Sequence, residues 1–351
     1  GCAALVLTGY GLKDAINDIV QNQFQKVFRY DLLAGYSAED EAEEQALFDQ
    51  LESDPDIKEW MPQYRAAITA VDERHSYEVN LTVSQDYTRL TDFISLQERV
   101  SRRVLTPEKE GAIITEKLGT MLGLKAGDTL TLRDGDNRTY ELAIAGVSEN
   151  YASHFVYISA EYYEEVFGKA LEYNTVIVDL VDRDDWAAAS EKLLAGGTVQ
   201  MISSDAELVE QYKNVTDNLG YVVAVLIVSA GLLAFVVQYN LSNINITERT
   251  REIATLKVLG FYDGEVSAYI YRESVILTIL GTGLGLLLGT ALTRFVVATA
   301  EVDSIMFGRS IYWPSFLMAT LITFLFSFLV NWVMHYRLKK INMVESMKSV
   351  D

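Results

Sequence analysis

The chain has 351 residues, half of them hydrophobic, and carries 29 Lys and Arg against 49 Asp and Glu, a net charge of −20. That acidity disfavours nucleic acid and anionic lipid headgroups as direct partners. Cys2 is the only cysteine, which excludes an intrachain disulfide.

Residues 1–12 (GCAALVLTGYGL) are uncharged and apolar but too short to cross a bilayer. They lack the basic flank of a signal peptide. They read as the remnant of a first transmembrane helix whose beginning lies upstream. The competing reading is a processed lipoprotein with Cys2 near its terminus.

Residues 13–218 hold 19 Lys and Arg against 40 Asp and Glu, so nearly all the net charge sits there. The stretch is long enough for a sizeable core in one or two lobes. Apolar residues at 16, 19, 20, 24, 27 and 28 predict a helix over 13–28. An acidic helix follows at 39–51, with Ala42, Ala46, Leu47 and Leu51 inward. Strands are expected at 66–71, 77–83 and 111–114, then a short helix from Thr115 to near Gly123. Strands at 129–132 and 140–147 flank Asp134-Gly135-Asp136-Asn137, a hairpin turn signal. Then come a strand at 156–158, a helix at 160–167, a strand at 175–180, a helix at 184–194 and a strand at 198–202. A helix over 205–218 should run straight into the next segment. The mixed order predicts an α+β extracytoplasmic domain.

Three uncharged apolar runs follow at 219–239, 274–293 and 311–334. About 20 residues at ~1.5 Å rise span a hydrocarbon core of ~30 Å. A charge at the centre of any of them would cost ~3 kcal/mol on insertion scales. The expected architecture is an α-helical transmembrane bundle joined to the α+β domain, in contact with membrane lipid. Arg249, Arg251, Lys257 and Arg272 fall in the loop 240–273, and Arg337, Lys339, Lys340 and Lys348 in the tail 335–351. By the basic-loop rule these segments are cytoplasmic. The loop 294–310 and the acidic domain are then outside.

The loop 240–273 contains an amphipathic helix over 245–260. Asn245 or Thr247 can cap it, Glu248 sits in its positive first turn, and Gly260 can end it. Ile246, Ile253, Leu256 and Leu259 share one side, and Asp263 can cap a second helix. Such a helix either rests on the bilayer surface or docks into a cytoplasmic partner. In the next span Gly281, Gly285 and Gly289 recur every four residues and form a smooth helix-packing face. Arg272 and Glu273, at the inner boundary of that span, can snorkel or pair with the loop helix. His75, His154 and His335 are scattered, and there is no HExxH, GxSxG or GxxxxGK[ST]. The cluster Asp40, Glu41, Glu43 and Glu44 lacks calcium-loop spacing. No catalytic residue, metal or cofactor is expected.

The run TERTREIATLKVLGF, with the glycine-rich span after it, resembles the permease domain of FtsX/MacB-type ABC transporters. The chain end RLKKINMVESMKSV is similar to that family's ending. The segment from Glu116-Lys117-Leu118-Gly119 through Asp128-Thr129-Leu130 resembles the family's extracytoplasmic core domain. The resemblance implies four spans in a cell membrane, with the large domain between the first and second. It makes the loop helix a coupling helix seated in an ABC ATPase subunit, with Glu248, Arg249, Arg251, Glu252, Ile253, Leu256 and Leu259 as contacts. It also implies a second permease half or a homodimer partner. An extracytoplasmic adaptor or hydrolase is a further possible partner. The implied function is mechanotransmission, in which ATP hydrolysis on a separate subunit moves the outer domain. The work would export or extract a lipid, lipoprotein, peptide or amphiphilic drug. The alternative is a non-transporting regulator of a cell-wall hydrolase or a peptide sensor.

Overall fold

A computed structural model describes residues 1–106 and 111–339. The basic tail expected at 335–351 lies outside the described residues from 340 onward. The chain divides into two compact units. Asn17–Val215 with Glu301–Gly308 form an α+β unit. Gly1–Ile16, Thr216–Ala300 and the chain from Arg309 onward form a helical unit.

The α+β unit is organised by nine strands among the described residues. They are β1 (Leu32–Tyr36), β2 (Ile57–Val71), β3 (Ser76–Ser84), β4 (Ala112–Thr115), β5 (Thr129–Arg133), β6 (Thr139–Ser148), β7 (Phe155–Ser159), β8 (Thr175–Leu180) and β9 (Val199–Ser204). Their order is β3-β7-β4-β6-β5-β2-β8-β1-β9, and β3 also pairs with β2. That extra pairing closes six strands into a ring, which removes the open edges of a sheet. The ring's interior follows from alternation. Ile68 and Ala70, Val79, Leu81 and Val83, Leu130 and Leu132, and Leu142 and Ile144 each lie two apart and share one buried core.

β2 belongs to both lobes. Its first half pairs with β8, and its second half pairs with β3 and β5. The second lobe places β1, β8 and β9 against α2 (Glu41–Ser53) and α6 (Trp186–Ala195). The sequence pattern gives β2 only from 66 onward, because Pro62 and the charged Lys58 and Glu59 break the strand signal. It also gives no sign of β1 or of α3 (Tyr87–Phe93).

Several local expectations hold. α4 (Glu116–Leu122) ends on Gly123 at φ +69°, and α5 spans Ala160–Phe167. The Asp134 carboxylate accepts from the Asp136 and Arg138 amides and closes the predicted hairpin turn. One expectation changes. Residues 1–12 and 13–28 are not separate, because α1 runs unbroken over Cys2–Asn22 and passes into a π turn at Gln23–Val27. Buried Gln23 explains the turn's position. Its Oε1 accepts from the Tyr151 and Ala152 amides at 2.7 and 3.1 Å, and its Nε2 donates to Asn150 Oδ1 at 3.0 Å.

Residues 301–308, expected as part of a plain loop, are built into the α+β unit. Ser153 N donates to Ser304 O at 2.8 Å, and Met306 N donates to Tyr151 O at 2.9 Å. Met306 is buried with Phe24, Phe28, Tyr151 and Phe155. Lys117 Nζ meets Glu301 Oε2 at 3.0 Å, with both side chains largely buried.

α7 (Asp205–Glu248) begins in the α+β unit. The Asp205 carboxyl is buried, and its Oδ2 has no hydrogen-bond partner among the described residues. Burial pushes its pKa up to about 8, against the pull of Arg183 and Arg65 and with a push from Asp31. Asp31 itself is held by the Leu180 amide at 2.8 Å and by the Arg183 guanidinium.

In the helical unit α1 and α7 are joined by α8 (Thr250–Val258), α9 (Asp263–Ala300) and α10 (Trp313–Lys339). Three stretches are long and apolar enough to cross a membrane: Gly220–Glu248, Arg272–Ala300 and Trp313–Met334. The first two reach about two turns beyond the uncharged runs, because neither Asn240 nor Arg294 stops a helix. Leu232, Leu284, Leu287 and Phe328 are exposed on this unit.

Candidate coupling loop and helix-packing face

The loop helix starts later than its sequence suggests. Asn245 and Thr247 do not cap it but lie inside α7, where Thr247 Oγ1 donates to Asn243 O at 2.8 Å. The chain turns at Arg249, and α8 begins at Thr250. Hydrogen bonding scarcely lapses across the bend, since Arg249 N reaches Asn245 O and Ile253 N reaches Arg249 O. Arg249 Nη2 meets Glu273 Oε2 on α9 at 2.9 Å. Both side chains are more than a third exposed, so the pair contributes at most ~1 kcal/mol and mainly fixes direction.

Gly260 ends α8 as expected, at φ +94°. Phe261 N then reaches back to Leu256 O at 3.2 Å, the closing bond of a left-handed helix stop. Asp263 is the first residue of α9 rather than its cap. The cap contact comes from Glu265, whose carboxylate accepts from Tyr262 N at 2.9 Å.

The apolar side of the loop helix divides. Ile246 and Ile253 are buried with Val266, Val330 and Met334, and Leu256 packs against that cluster. Leu259 is exposed, as are Val258, Phe261 and Tyr262. Glu248, Arg251 and Glu252 lie on the exposed side of the segment. The exposed apolar group is therefore the end of α8 and the turn after it. Phe261 and Tyr262 carry no periodic signal and escape a sequence reading.

The three glycines of α9 are not equivalent. A Cβ added at Gly285 would lie 2.8 Å from Ala3 Cβ. One added at Gly289 would lie 3.0 Å from Ala4 Cα and 3.1 Å from both Ala4 O and Leu7 Cβ. A Cβ added at Gly281 would meet nothing within 4 Å among the described residues. The close approach is thus between α9 and the start of α1. A polar clamp lies nearby: Gln238 Nε2 donates to Ser327 Oγ at 2.9 Å, and Ser327 Oγ is 2.9 Å from Thr278 Oγ1.

Residues 1–195 match the MacB-like periplasmic core domain, and residues 224–343 match the FtsX-like permease C-terminal domain. An uncharacterized ABC transporter permease protein of Mycobacterium tuberculosis is 32% identical over 114 residues, 32% of this chain. Those residues span 13% of that relative's length. Among solved structures, the periplasmic region of MacB from Actinobacillus actinomycetemcomitans is similar at 12% identity and a TM-score of 0.33, over 53% of this chain and 94% of that one. The extracellular domain of the noncanonic ABC-type transporter YknZ from Gram-positive bacteria is similar at 15% identity and a TM-score of 0.33, over 50% and 98%. The chain belongs to the family of ABC transporter permeases that carry a MacB-like periplasmic core domain and an FtsX-like permease domain.

Proposed function

We propose that this chain couples ATP hydrolysis on a separate ABC ATPase subunit to movement of its α+β unit. In this reading α1, α7, α9 and α10 form a transmembrane bundle in a cell membrane, α8 is cytoplasmic and the α+β unit is outside. The carrying observation is the two-sided loop helix. Ile253 and Ala254 are buried in the helical unit, while Val258, Leu259, Phe261 and Tyr262 are exposed beside Glu248, Arg251 and Glu252. An apolar anchor in a groove carries more binding energy than screened rim charges. Movement received at α8 would enter α7, the element that carries the chain into the α+β unit. The cargo would be a lipid, lipoprotein, peptide or amphiphilic drug handled outside or in the outer leaflet. A second permease half or a second copy would complete the assembly.

The test is ATP hydrolysis by the co-purified ATPase, with wild-type or variant permease. Leu259→Asp should abolish stimulation and pull-down while the melting temperature stays unchanged. Arg251→Ala should weaken stimulation only modestly. Full stimulation by Leu259→Asp would leave α8 as a surface-lying helix and sink the coupling role.

A further inference from the structure

His154 lies in the turn before β7 and is 4% exposed. Its carbonyl is fixed to β3, accepting from Asn80 N at 2.8 Å and from Asn80 Nδ2 at 3.2 Å. Its ring packs edge-on to Tyr77, with centroids 6.2 Å apart. Among the described residues, neither ring nitrogen has a well-formed hydrogen bond. Two charged groups face the ring: Lys117 from α4 and Asp303 from residues 301–308. Behind Lys117 stands Glu301, its ion-pair partner at 3.0 Å.

We propose that His154 and residues 301–308 form an acid-released strap: the segment seats against the α+β unit while His154 is neutral and comes away when His154 is protonated.

Among the described residues the seat comprises the Ser153–Ser304 and Met306–Tyr151 hydrogen bonds, the Ala152–Ile305 bridge, the burial of Met306 with Ile305 and Phe307 packed beside it, and the Lys117–Glu301 pair. An imidazolium needs acceptors for two N–H groups. The carboxylates within the segment are Glu301 and Asp303. Glu301 is already engaged by Lys117 and by Phe307 N at 2.8 Å. Burial and the Lys117 cation hold the His154 pKa below the ordinary 6.5, against a weaker pull from the Asp303 backbone and carboxylate. A ring freed by release titrates near the ordinary value. The seated state is therefore fully stable above about pH 6.5 and loses ground as pH falls, until the seated ring also charges. One pH unit below that value the balance shifts towards release by up to about tenfold. Residues 301–308 connect α9 to α10, so release frees that connection from the α+β unit.

The experiment is hydrogen–deuterium exchange on the full chain in detergent at pH 7.5 and 5.5, corrected for intrinsic rates. Amides of 301–308, Met306 above all, should exchange up to about tenfold faster at the lower pH, while β8 stays protected. His154→Phe keeps an aromatic ring against Tyr77 and cannot titrate, so its strap should show one protection at both pH values. His154→Gln is the second non-titrating variant and should behave alike. Equal wild-type protection at both pH values, tighter protection in acid, or the same pH dependence in both variants would overturn the proposal. Loss of protection in β8 together with 301–308 would also overturn it, because the whole unit would then be opening.

Discussion

The glycines of α9 give a prediction with an internal control. Gly→Ala inside a helix gains about 0.5–1 kcal/mol by removing backbone freedom from the unfolded chain. At Gly281 nothing opposes that gain, since no atom lies within 4 Å of the added Cβ. At Gly285 the new methyl would sit 2.8 Å from Ala3 Cβ, closer than packed carbons come, so α1 or α9 must move. Overpacking of this kind costs about 1–3 kcal/mol. Gly285→Ala should therefore be neutral to destabilising by about 2 kcal/mol, and Gly285→Leu worse. Gly281→Ala should be stabilising by up to about 1 kcal/mol. Gly289→Ala meets backbone at 3.0–3.1 Å, which yields less readily than a side chain, and should rank with Gly285→Ala or below it. The assay is thermal unfolding in detergent, followed by tryptophan fluorescence. A rescue sharpens it: Ala3→Gly deletes the opposing methyl and should recover most of the loss in Gly285→Ala. Equal melting for the Gly281 and Gly285 variants, or no rescue by Ala3→Gly, would refute the packing between α9 and α1.

Asp205→Asn should stabilise the α+β unit. The folded pKa near 8 lies above the ordinary 3.8, so the carboxyl's favourable state is complete below about 3.8 and is lost as pH rises through 8. The variant's advantage should grow across that window to on the order of 1–3 kcal/mol, the cost of an unsatisfied buried group; chemical unfolding at pH 5 and 9 reads it, and a constant difference would be the contrary result. Lys117→Met leaves Glu301 buried without its cation and should cost about 3–5 kcal/mol, while Lys117→Met with Glu301→Gln should cost less; melting of the two variants decides, and an equal loss would remove the pair from the account. For topology, in a Cys2→Ala background a cysteine at Asp136 should react with an impermeant thiol reagent in intact cells, and one at Glu252 should not. The reverse labelling would invert the proposed orientation.

What the sequence shows and what it hides divide along physical lines. Period-two apolar pairs such as Leu130/Leu132 and Leu142/Ile144, and the long apolar runs, are local signals, and they predict ring strands and helices directly. β1 and the first half of β2 depend on partners far along the chain. Leu32 pairs with Val178 and Ser204, and Pro62 sits opposite Val176. No short window contains the burial that makes these residues strands. The strap is hidden for the same reason. Residues 301–308 look like a turn between two spans until Tyr151 and Ser153 are brought beside them. The glycine spacing marks a smooth face, but not which glycine meets a neighbour, because that depends on where α1 crosses α9.

The loop helix was legible as a helix but not in its facing, and geometry explains why. A helix turns about 100° per residue, so each step of three residues falls about 60° short of a full turn. Ile253, Leu256 and Leu259 therefore drift round the helix, and Leu259 lies about 120° from Ile253. That drift carries the stripe from the buried cluster of Ile253, past the half-buried Leu256, to the exposed Leu259. Ile246 and Ile253, seven residues apart, stay within about 20° of one another, and both are buried. A stripe that reads as one face thus serves two. A helix that relays a push must be held on one side and gripped on the other, since a helix free of the bundle would move alone. In the proposed coupling role the buried Ile253 would supply the hold, and the exposed Leu259, Phe261 and Tyr262 would be left for the grip.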